Sequence, residues 1–210
     1  MITLFNYFVK ITGWIAYVLL FRTKIYYVDK KKQSRRIKGP AILVSNHTSV
    51  YDYAVYLYVF FFRTIRYQMA EILYRKKLLK LFLNMMGGIY VNRDTHDLSF
   101  LDKSNAILNK RGVVGVFPES RIPKEGEERP LEFKQSVVVL ALQSKAPIIP
   151  LYTNGVYFKK KRARVIIGEP INVFNYYDET LSEKENVKNI TLLLREKIIA
   201  LKGQLDEKEK

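Results

Sequence analysis

The chain has 210 residues, which is enough for one hydrophobic core or for one core with an appendage. It contains no cysteine, which excludes disulfide bonds, thiolate metal sites and a cysteine nucleophile. Its 36 Lys and Arg residues against 20 Asp and Glu residues give a net charge of +16. Such a charge favours polyanionic partners, namely nucleic acid, an anionic membrane surface or phosphorylated substrates.

The first 21 residues are apolar apart from Lys10 and a few small polar groups. The uncharged run at residues 11–21 is too short to cross the hydrocarbon core of a bilayer, which takes about 20 helical residues. Neither a positively charged start nor a small-residue cleavage site marks a signal peptide. We therefore predict two short helices, over residues 2–10 and 12–21.

These two helices are predicted to lie in a membrane interface, because their apolar surface is nearly continuous rather than a stripe. Lys10, Arg22 and Lys24 would contact lipid head groups. The predicted aromatic anchors are Phe5, Tyr7, Phe8, Trp14, Tyr17 and Phe21. The alternatives are that the helices pack on the core or form one slanted spanning helix. Residues 1–35 are interpreted as an interfacial two-helix motif and residues 36–210 as the main domain.

Predicted strands and helices alternate beyond residue 36. Short apolar runs predict strands at residues 41–44, 65–70, 89–91, 113–117, 148–152 and 164–167. Helices are predicted at residues 50–62, 73–86, 97–110, 133–144 and 187–201. This alternation predicts an α/β fold with a mixed, largely parallel central sheet flanked by helices. In such folds, ligands bind at the carboxyl ends of the strands.

Asn46, His47, Ser49 and Asp52 follow the first of these strands. An imidazole can accept a proton near neutral pH, and a carboxylate can hold its tautomer, so His47 and Asp52 form a candidate general-base pair. Residues five apart on a helix lie about 140° apart, so contact requires His47 in the turn and Asp52 in the first helical turn. Ser49 is then the predicted N-cap. Alternatively, Ser49 and Asp52 only form a capping box and His47 fills a polar corner.

Two further predicted strands are followed by charged residues. Arg93 is suited to forked binding of a phosphate, and Glu119 could accept a hydrogen bond from a substrate hydroxyl or orient Arg121. Each could instead form an ordinary salt bridge or a polar turn. Because His47, Arg93 and Glu119 all come directly after a strand, they are predicted to form one site. The second histidine, His96, is predicted to be a surface or helix-start residue.

Four segments, taken in order, resemble the glycerolipid acyltransferase family typified by 1-acyl-glycerol-3-phosphate acyltransferase. That family carries the blocks N-H-x-S-x-x-D, G-x-I-F-I-x-R, F-P-E-G-T-R and V-P-I-I-P-V. They correspond here to residues 46–52, 88–93, 117–121 and 146–151. The resemblance covers roughly residues 36–170.

The chain departs from the family pattern at three positions. Ser120 replaces the usual glycine, and Arg121 lies one place earlier than in the F-P-E-G-T-R form. Ser136 also stands where members often have glycine. These departures bear on acceptor specificity rather than on the reaction.

The resemblance implies the glycerolipid acyltransferase fold and transfer of an acyl chain from acyl-CoA or acyl carrier protein to a glycerolipid hydroxyl. The implied acceptor is the sn-2 hydroxyl of 1-acyl-glycerol 3-phosphate (lysophosphatidate), and the product is phosphatidate. His47 would be the general base, and Asp52 would orient it and stabilise its charge. The implied substrate-binding residues are Arg93, for the acceptor phosphate, with Glu119, Arg121, Lys134, Asn46 and Ser49.

The expected partners are an anionic membrane surface, a lysophospholipid, and acyl-CoA or acyl carrier protein. No metal ion or other cofactor is expected. Nucleic acid is not an expected partner, since the sequence contains no docking motif for it. The expected location is the cytoplasmic face of the cell membrane, as a monotopic or peripheral protein. Two alternatives remain: the same chemistry on glycerol 3-phosphate or another lysophospholipid, and a basic membrane-binding module without catalysis.

Overall fold

The computed structural model of the protein describes residues 1–93, 95, 97–158 and 162–208. Seven strands in this part of the chain are β1 (Lys24–Tyr27), β2 (Ala41–Ser45), β3 (Ile65–Ala70), β4 (Ile89–Val91), β5 (Val113–Val116), β6 (Ile148–Thr153) and β7 (Arg164–Ile167). They form one sheet in the order β1-β7-β6-β2-β5-β3-β4. Only β6 and β7 pair antiparallel among these strands. The predicted mixed, largely parallel sheet is confirmed.

Helices flank the sheet on both sides. The α-helices among the described residues are α1 (Ile2–Thr12), α2 (Trp14–Phe21), α3 (Asp52–Val59), α4 (Lys77–Met86), α5 (Ser99–Asn109), α6 (Ser136–Ser144) and α7 (Glu183–Glu207). Short 3₁₀ turns lie at Glu71–Tyr74 and Val173–Tyr176. Alternate residues of β2 point into the two halves of the core, because side chains of a strand alternate between its faces. Ala41 and Leu43 pack on the side of α2, α3 and α4, whereas Ile42 and Val44 pack on the side of α5, α6 and α7.

Two elements differ from the predicted pattern. β1 is not predicted by the sequence, and it lies within the segment assigned to the N-terminal motif. It pairs in parallel with β7, about 140 residues further along the chain, a partner that local sequence does not reveal. α7 extends beyond the predicted residues 187–201 at both ends. Its start is fixed by a capping box, in which Ser182 accepts the N–H of Glu185 and the Glu185 side chain accepts the N–H of Ser182.

The N-terminal segment forms two helices, as predicted, with Gly13 between them. Among the described residues, no single helix has the length and apolarity to cross a membrane, whereas α1 and α2 together pass that test as a pair bent by 56°. Tyr17 and Phe21 are not surface anchors but are buried against the core, where Tyr17 stacks on Tyr58. The exposed apolar side chains of the two helices are Leu4, Phe8, Ile11, Trp14, Ile15, Val18, Leu19 and Leu20.

The prediction that Lys10 contacts lipid head groups is wrong. Its side chain is completely buried, and Nζ donates hydrogen bonds to the carbonyl oxygens of Phe61 (2.8 Å), Arg63 (2.7 Å) and Phe60 (3.4 Å). These carbonyls lie just beyond the last turn of α3, where backbone oxygens have no partner within the helix. Lys10 therefore joins α1 to the end of α3.

Candidate active site

Asn46 fixes the turn that follows β2 to the end of β6. Its Nδ2 donates to the Thr153 carbonyl at 2.9 Å, and its Oδ1 accepts the Thr153 N–H at 2.9 Å. Asn46 is buried and also accepts a hydrogen bond from the Ser45 hydroxyl. The Asn46 side-chain amide thus pairs with the Thr153 backbone as a neighbouring strand would. This pairing holds the next residue, His47, at the carboxyl end of the sheet.

His47 and Asp52 are in contact, as predicted. His47 lies in the turn and Asp52 is the first residue of α3, with Nδ1 and Oδ2 2.8 Å apart. Asp52 is completely buried and also accepts hydrogen bonds from the Thr48 N–H (2.6 Å), the Thr48 hydroxyl (2.8 Å), the Ser49 N–H (3.0 Å) and the Tyr157 hydroxyl (2.6 Å). With the carboxylate as acceptor, Nδ1 carries the proton and Nε2 has a free lone pair. That nitrogen is the atom able to take a proton from a ligand.

The prediction that Ser49 is the N-cap is wrong. The helix begins at Asp52 with Tyr51 at the N-cap, and the Ser49 hydroxyl accepts the Tyr51 N–H at 3.2 Å. Asp52 instead reaches back over the turn and accepts the N–H groups of Thr48 and Ser49. The carboxylate, rather than the serine hydroxyl, therefore organises the turn.

Phe117 and Glu119, which follow strand β5, hold His47 in place. The Phe117 ring stacks on the imidazole with centroids 4.3 Å apart and an angle of 14° between the planes. Glu119 accepts the His47 N–H at 2.6 Å through one oxygen and the Leu131 N–H at 2.7 Å through the other. Burial raises the pKa of Glu119 above its ordinary value, against the effect of these two donors. Glu119 thus fixes the backbone of His47.

Arg93 follows β4, as predicted, and forms an ion pair with Glu71. Its Nη2 and Nε donate to the two carboxylate oxygens at 2.8 and 3.1 Å, and Nη1 donates to the Ser120 carbonyl at 2.9 Å. The hydrogen bond from Arg93 lowers the pKa of Glu71 to about 2. Arg93 thereby connects three segments that border the site: the end of β4, the 3₁₀ turn after β3 and the turn after β5.

Arg121 and Lys134 are exposed near the same turn. The two terminal nitrogens of Arg121 donate to the two oxygens of Glu127 at 2.6 and 2.7 Å. The Lys134 backbone N–H donates to the Pro118 carbonyl at 2.9 Å. Ser120 adopts a φ of 63°, the left-handed region that favours glycine, which explains why glycine suits this position in the family pattern.

A cavity of about 510 Å³ opens beside His47. Its walls are mostly apolar and are formed by Tyr53, Tyr67, Met69, Leu73, Leu79, Phe82, Leu83, Val91, Phe100, Val116 and Phe117, among others. Its polar lining includes Arg93, Arg121, Lys134 and Ser136. These four residues also line an adjoining, larger cavity of about 880 Å³ that contacts Glu119. The imidazole therefore lies where an apolar chamber meets a group of basic side chains.

Several site residues are not predicted by the sequence. Tyr157 contacts Asp52 across 105 residues of chain, and Glu71 contacts Arg93 across 22. Thr48 and Phe117 lie inside two of the four sequence blocks, but the sequence does not predict that Thr48 contacts Asp52 or that Phe117 stacks on His47. His96 lies outside the described residues. In the described part of the chain, no three His, Asp or Glu side chains are grouped as metal ligands would be.

The pair of His47 and Asp52 lies at the carboxyl end of a largely parallel sheet and faces an apolar chamber, an arrangement suited to the transfer of an acyl group to a hydroxyl. The family model Acyltransferase matches residues 24–154, well over half of the chain, so the chain belongs to this acyltransferase family. The structure is similar to the crystal structure of the 1-acyl-sn-glycerophosphate (LPA) acyltransferase PlsC from Thermotoga maritima, with a TM-score of 0.66 and 18% sequence identity. The match covers 94% of this chain and 79% of that one, and it shows that the fold is shared.

Proposed function

We propose that the protein transfers an acyl chain from acyl-CoA or acyl carrier protein to the sn-2 hydroxyl of lysophosphatidate, giving phosphatidate. The observation that carries this proposal is the position of His47, paired with the buried Asp52 and lining an apolar chamber beside basic side chains. The chamber suits an acyl chain, since each buried CH₂ group contributes about 0.8 kcal/mol. The basic side chains suit a phosphate.

The proposed reaction uses Nε2 of His47 as the base. Nε2 takes the proton of the acceptor hydroxyl while that oxygen attacks the thioester carbonyl, and Asp52 stabilises the imidazolium that forms. The tetrahedral intermediate collapses with cleavage of the C–S bond, and the imidazolium returns its proton to the departing sulfur. The ester and the free thiol are the products. The absence of cysteine fits direct transfer without a thioester on the enzyme.

The acceptor phosphate is proposed to bind between Arg121 and Lys134, near the first turn of α6. Arg93 donates to both oxygens of Glu71 and to the Ser120 carbonyl, so a phosphate on Arg93 would have to displace a forked ion pair. The pair of Arg121 with Glu127 is more exposed and therefore easier to exchange. α6 begins at Ser136, and the positive end of its helix dipole favours an anion near this residue. Arg93 then serves mainly to hold the wall of the phosphate site.

Lys134→Ala is expected to raise KM for lysophosphatidate about tenfold with little change in kcat, because an exposed cation binds the phosphate equally in the ground and transition states. The assay is acyl transfer from a long-chain acyl-CoA in detergent micelles. Lys202→Ala, which removes an exposed lysine on α7, is the matched control. Monoacylglycerol, which lacks the phosphate, is expected to be a poor acceptor for wild type and equally poor for Lys134→Ala. Transfer by wild type to glycerol 3-phosphate or to another lysophospholipid, and not to lysophosphatidate, would contradict the proposed acceptor.

The protein is also proposed to act as a monotopic protein at the cytoplasmic face of the cell membrane, bound through α1 and α2. Supporting this are the exposed apolar side chains of both helices and the net charge of +16, which favours anionic lipid. The partly exposed Trp14 is the single tryptophan of the chain, so its fluorescence reports on this surface.

Anionic vesicles of phosphatidylglycerol are expected to shift Trp14 emission to shorter wavelength. Ile15→Glu, which places a charge on the exposed face of α2, is expected to weaken vesicle binding about tenfold or more. Leu192→Glu is the control, because Leu192 is an exposed leucine on α7, away from α1 and α2. Unchanged emission with vesicles, or equal weakening by both substitutions, would exclude α1 and α2 as the membrane-binding surface.

A further inference from the structure

The two oxygens of Asp52 have different partners. Oδ2 faces His47 and the N–H groups of Thr48 and Ser49, all within the same turn. Oδ1 accepts one hydrogen bond from the Thr48 hydroxyl at 2.8 Å and one from the Tyr157 hydroxyl at 2.6 Å. Among the described residues, Tyr157 is therefore the one hydrogen-bond donor to the Asp52 carboxylate that lies outside the turn.

Tyr157 is itself held by the end of β6. Its hydroxyl lies 3.1 Å from Oγ1 of Thr153, whose backbone is fixed by Asn46. Its ring packs edge-on against Phe21 of α2, with centroids 5.5 Å apart. The hydroxyl that reaches Asp52 is thus supported by the sheet on one side and by an N-terminal helix on the other.

The segment before Tyr157 lies tightly against the turn after β2, which carries His47 and Thr48. Gly155 has a φ of +66°, and a Cβ at this position would lie 2.6 Å from Oγ1 of Thr48. The Asn154 side chain accepts the N–H groups of Val156 (3.2 Å) and Arg164 (3.0 Å), so the backbone on the N-terminal side of Tyr157 is hydrogen-bonded to the start of β7. A backbone so constrained places the Tyr157 hydroxyl within a narrow range of positions.

We propose that Tyr157 is a positioning residue for acyl transfer, whose hydroxyl fixes the rotation of the Asp52 carboxylate and thereby the direction of the His47 imidazole. The inference rests on the proposed function of the site and adds to it a residue outside the four sequence blocks. The torsion that rotates a carboxylate is soft, and donors within the turn move with the turn. A donor anchored on β6 instead ties the pair to the sheet, where β2 and β6 are hydrogen-bonded neighbours.

The hydroxyl remains a donor under working conditions. Burial, and then the charge of Asp52, raise the pKa of Tyr157 far above its ordinary value, so its proton stays on the oxygen. The other titratable groups around the carboxylate are His47 in the turn, Tyr56 on α3, Tyr67 on β3 and Glu119 after β5. Tyr56 is hydrogen-bonded to the Ser45 hydroxyl. None of these described groups donates to Oδ1 in place of Tyr157.

The test compares Tyr157→Phe with wild type in acyl transfer and in NMR spectroscopy of the imidazole. Loss of a hydrogen bond to a charged group is expected to lower kcat about tenfold or more, with KM changed by less than about twofold. The chain has two histidines, so a His96→Asn background leaves His47 as the single source of an imidazole N–H signal. The Nδ1–H resonance of His47 is expected to move and to exchange faster with water in Tyr157→Phe. Tyr74→Phe is the matched control, because the Tyr74 hydroxyl has no hydrogen-bond partner among the described residues and does not line either cavity.

The two readouts separate this inference from the proposed function. If wild type does not acylate lysophosphatidate, the proposed function fails, and the NMR comparison, which needs no substrate, still decides the role of Tyr157. An unmoved Nδ1–H resonance in Tyr157→Phe would overturn the inference. So would a kcat within about twofold of wild type in an active enzyme. Equal changes in Tyr74→Phe would also overturn it, because they would show a general effect of losing a hydroxyl.

Discussion

Replacement of His47 by alanine is expected to lower kcat for acyl transfer by about a hundredfold or more, because no other described residue that lines the chamber is a histidine or a carboxylate. The change removes the proton acceptor but leaves Asn46, Thr48 and Asp52 to hold the turn. Stability should therefore change little, and KM for lysophosphatidate should remain close to the wild-type value. The measurement is steady-state transfer from a long-chain acyl thioester to lysophosphatidate in micelles or vesicles.

The matched control is His96→Ala, which removes the other histidine of the chain. It is expected to keep activity within about twofold of wild type, since His96 belongs to none of the four sequence blocks. Equal activity of wild type and His47→Ala would exclude His47 as the general base, whatever the acceptor. A large loss of activity in both variants would show that the pair His47–Asp52 does not account for catalysis alone.

Replacement of the buried Lys10 by methionine is expected to lower the free energy of unfolding by about 2 kcal/mol at pH 7. The carbonyl oxygens of Phe61 and Arg63 lose their Lys10 donor, whereas that of Phe60 keeps the Arg63 N–H at 3.0 Å. An unpaired buried polar group costs about 1–3 kcal/mol, which relief of the buried charge partly offsets. Denaturant unfolding of both proteins measures the difference. Lys188→Met, at an exposed position of α7, is the control and should change stability by less than about 0.5 kcal/mol.

The effect of Lys10 on stability should depend on pH with a definite sign. Burial lowers the pKa of Lys10 from 10.5 to about 8, so between these values the unfolded chain binds the proton and the folded protein does not. Stability therefore rises with pH across this window, and the advantage of wild type over Lys10→Met should widen by up to about 3 kcal/mol. A difference that stays constant or narrows from pH 8 to pH 10.5 would show that Lys10 keeps its proton in the folded state.

The connection of Lys10 to α3 also bears on function. α3 begins with Asp52 and ends next to the carbonyls that Lys10 binds, so one short helix joins the N-terminal motif to the pair of His47 and Asp52. Phe21 of α2 makes a second connection, through the Tyr157 ring. Under the proposed membrane-binding mode, both contacts would fix the orientation of the His47 site relative to the lipid surface.

The sequence by itself determined the features that depend on neighbours along the chain. The alternation of apolar runs predicted the α/β fold, because strands buried on both faces read as short continuous apolar segments. The contact of His47 with Asp52 was predictable, since a separation of five residues leaves one simple arrangement, a turn followed by a helix start. The same local order gave the placement of Arg93 and Glu119 after their strands.

Tertiary structure alone decided the partners that are distant in sequence. Tyr157 reaches Asp52, Glu71 holds Arg93, and Lys10 binds carbonyls about 50 residues away, and no local pattern marks any of these pairs. Lys10 illustrates the physical reason: a lysine in an apolar helix suits a lipid interface and a buried helix end equally well. Only the packing of α1 against the core distinguishes the two, because it places the carbonyl oxygens of Phe60, Phe61 and Arg63 next to the Lys10 amine.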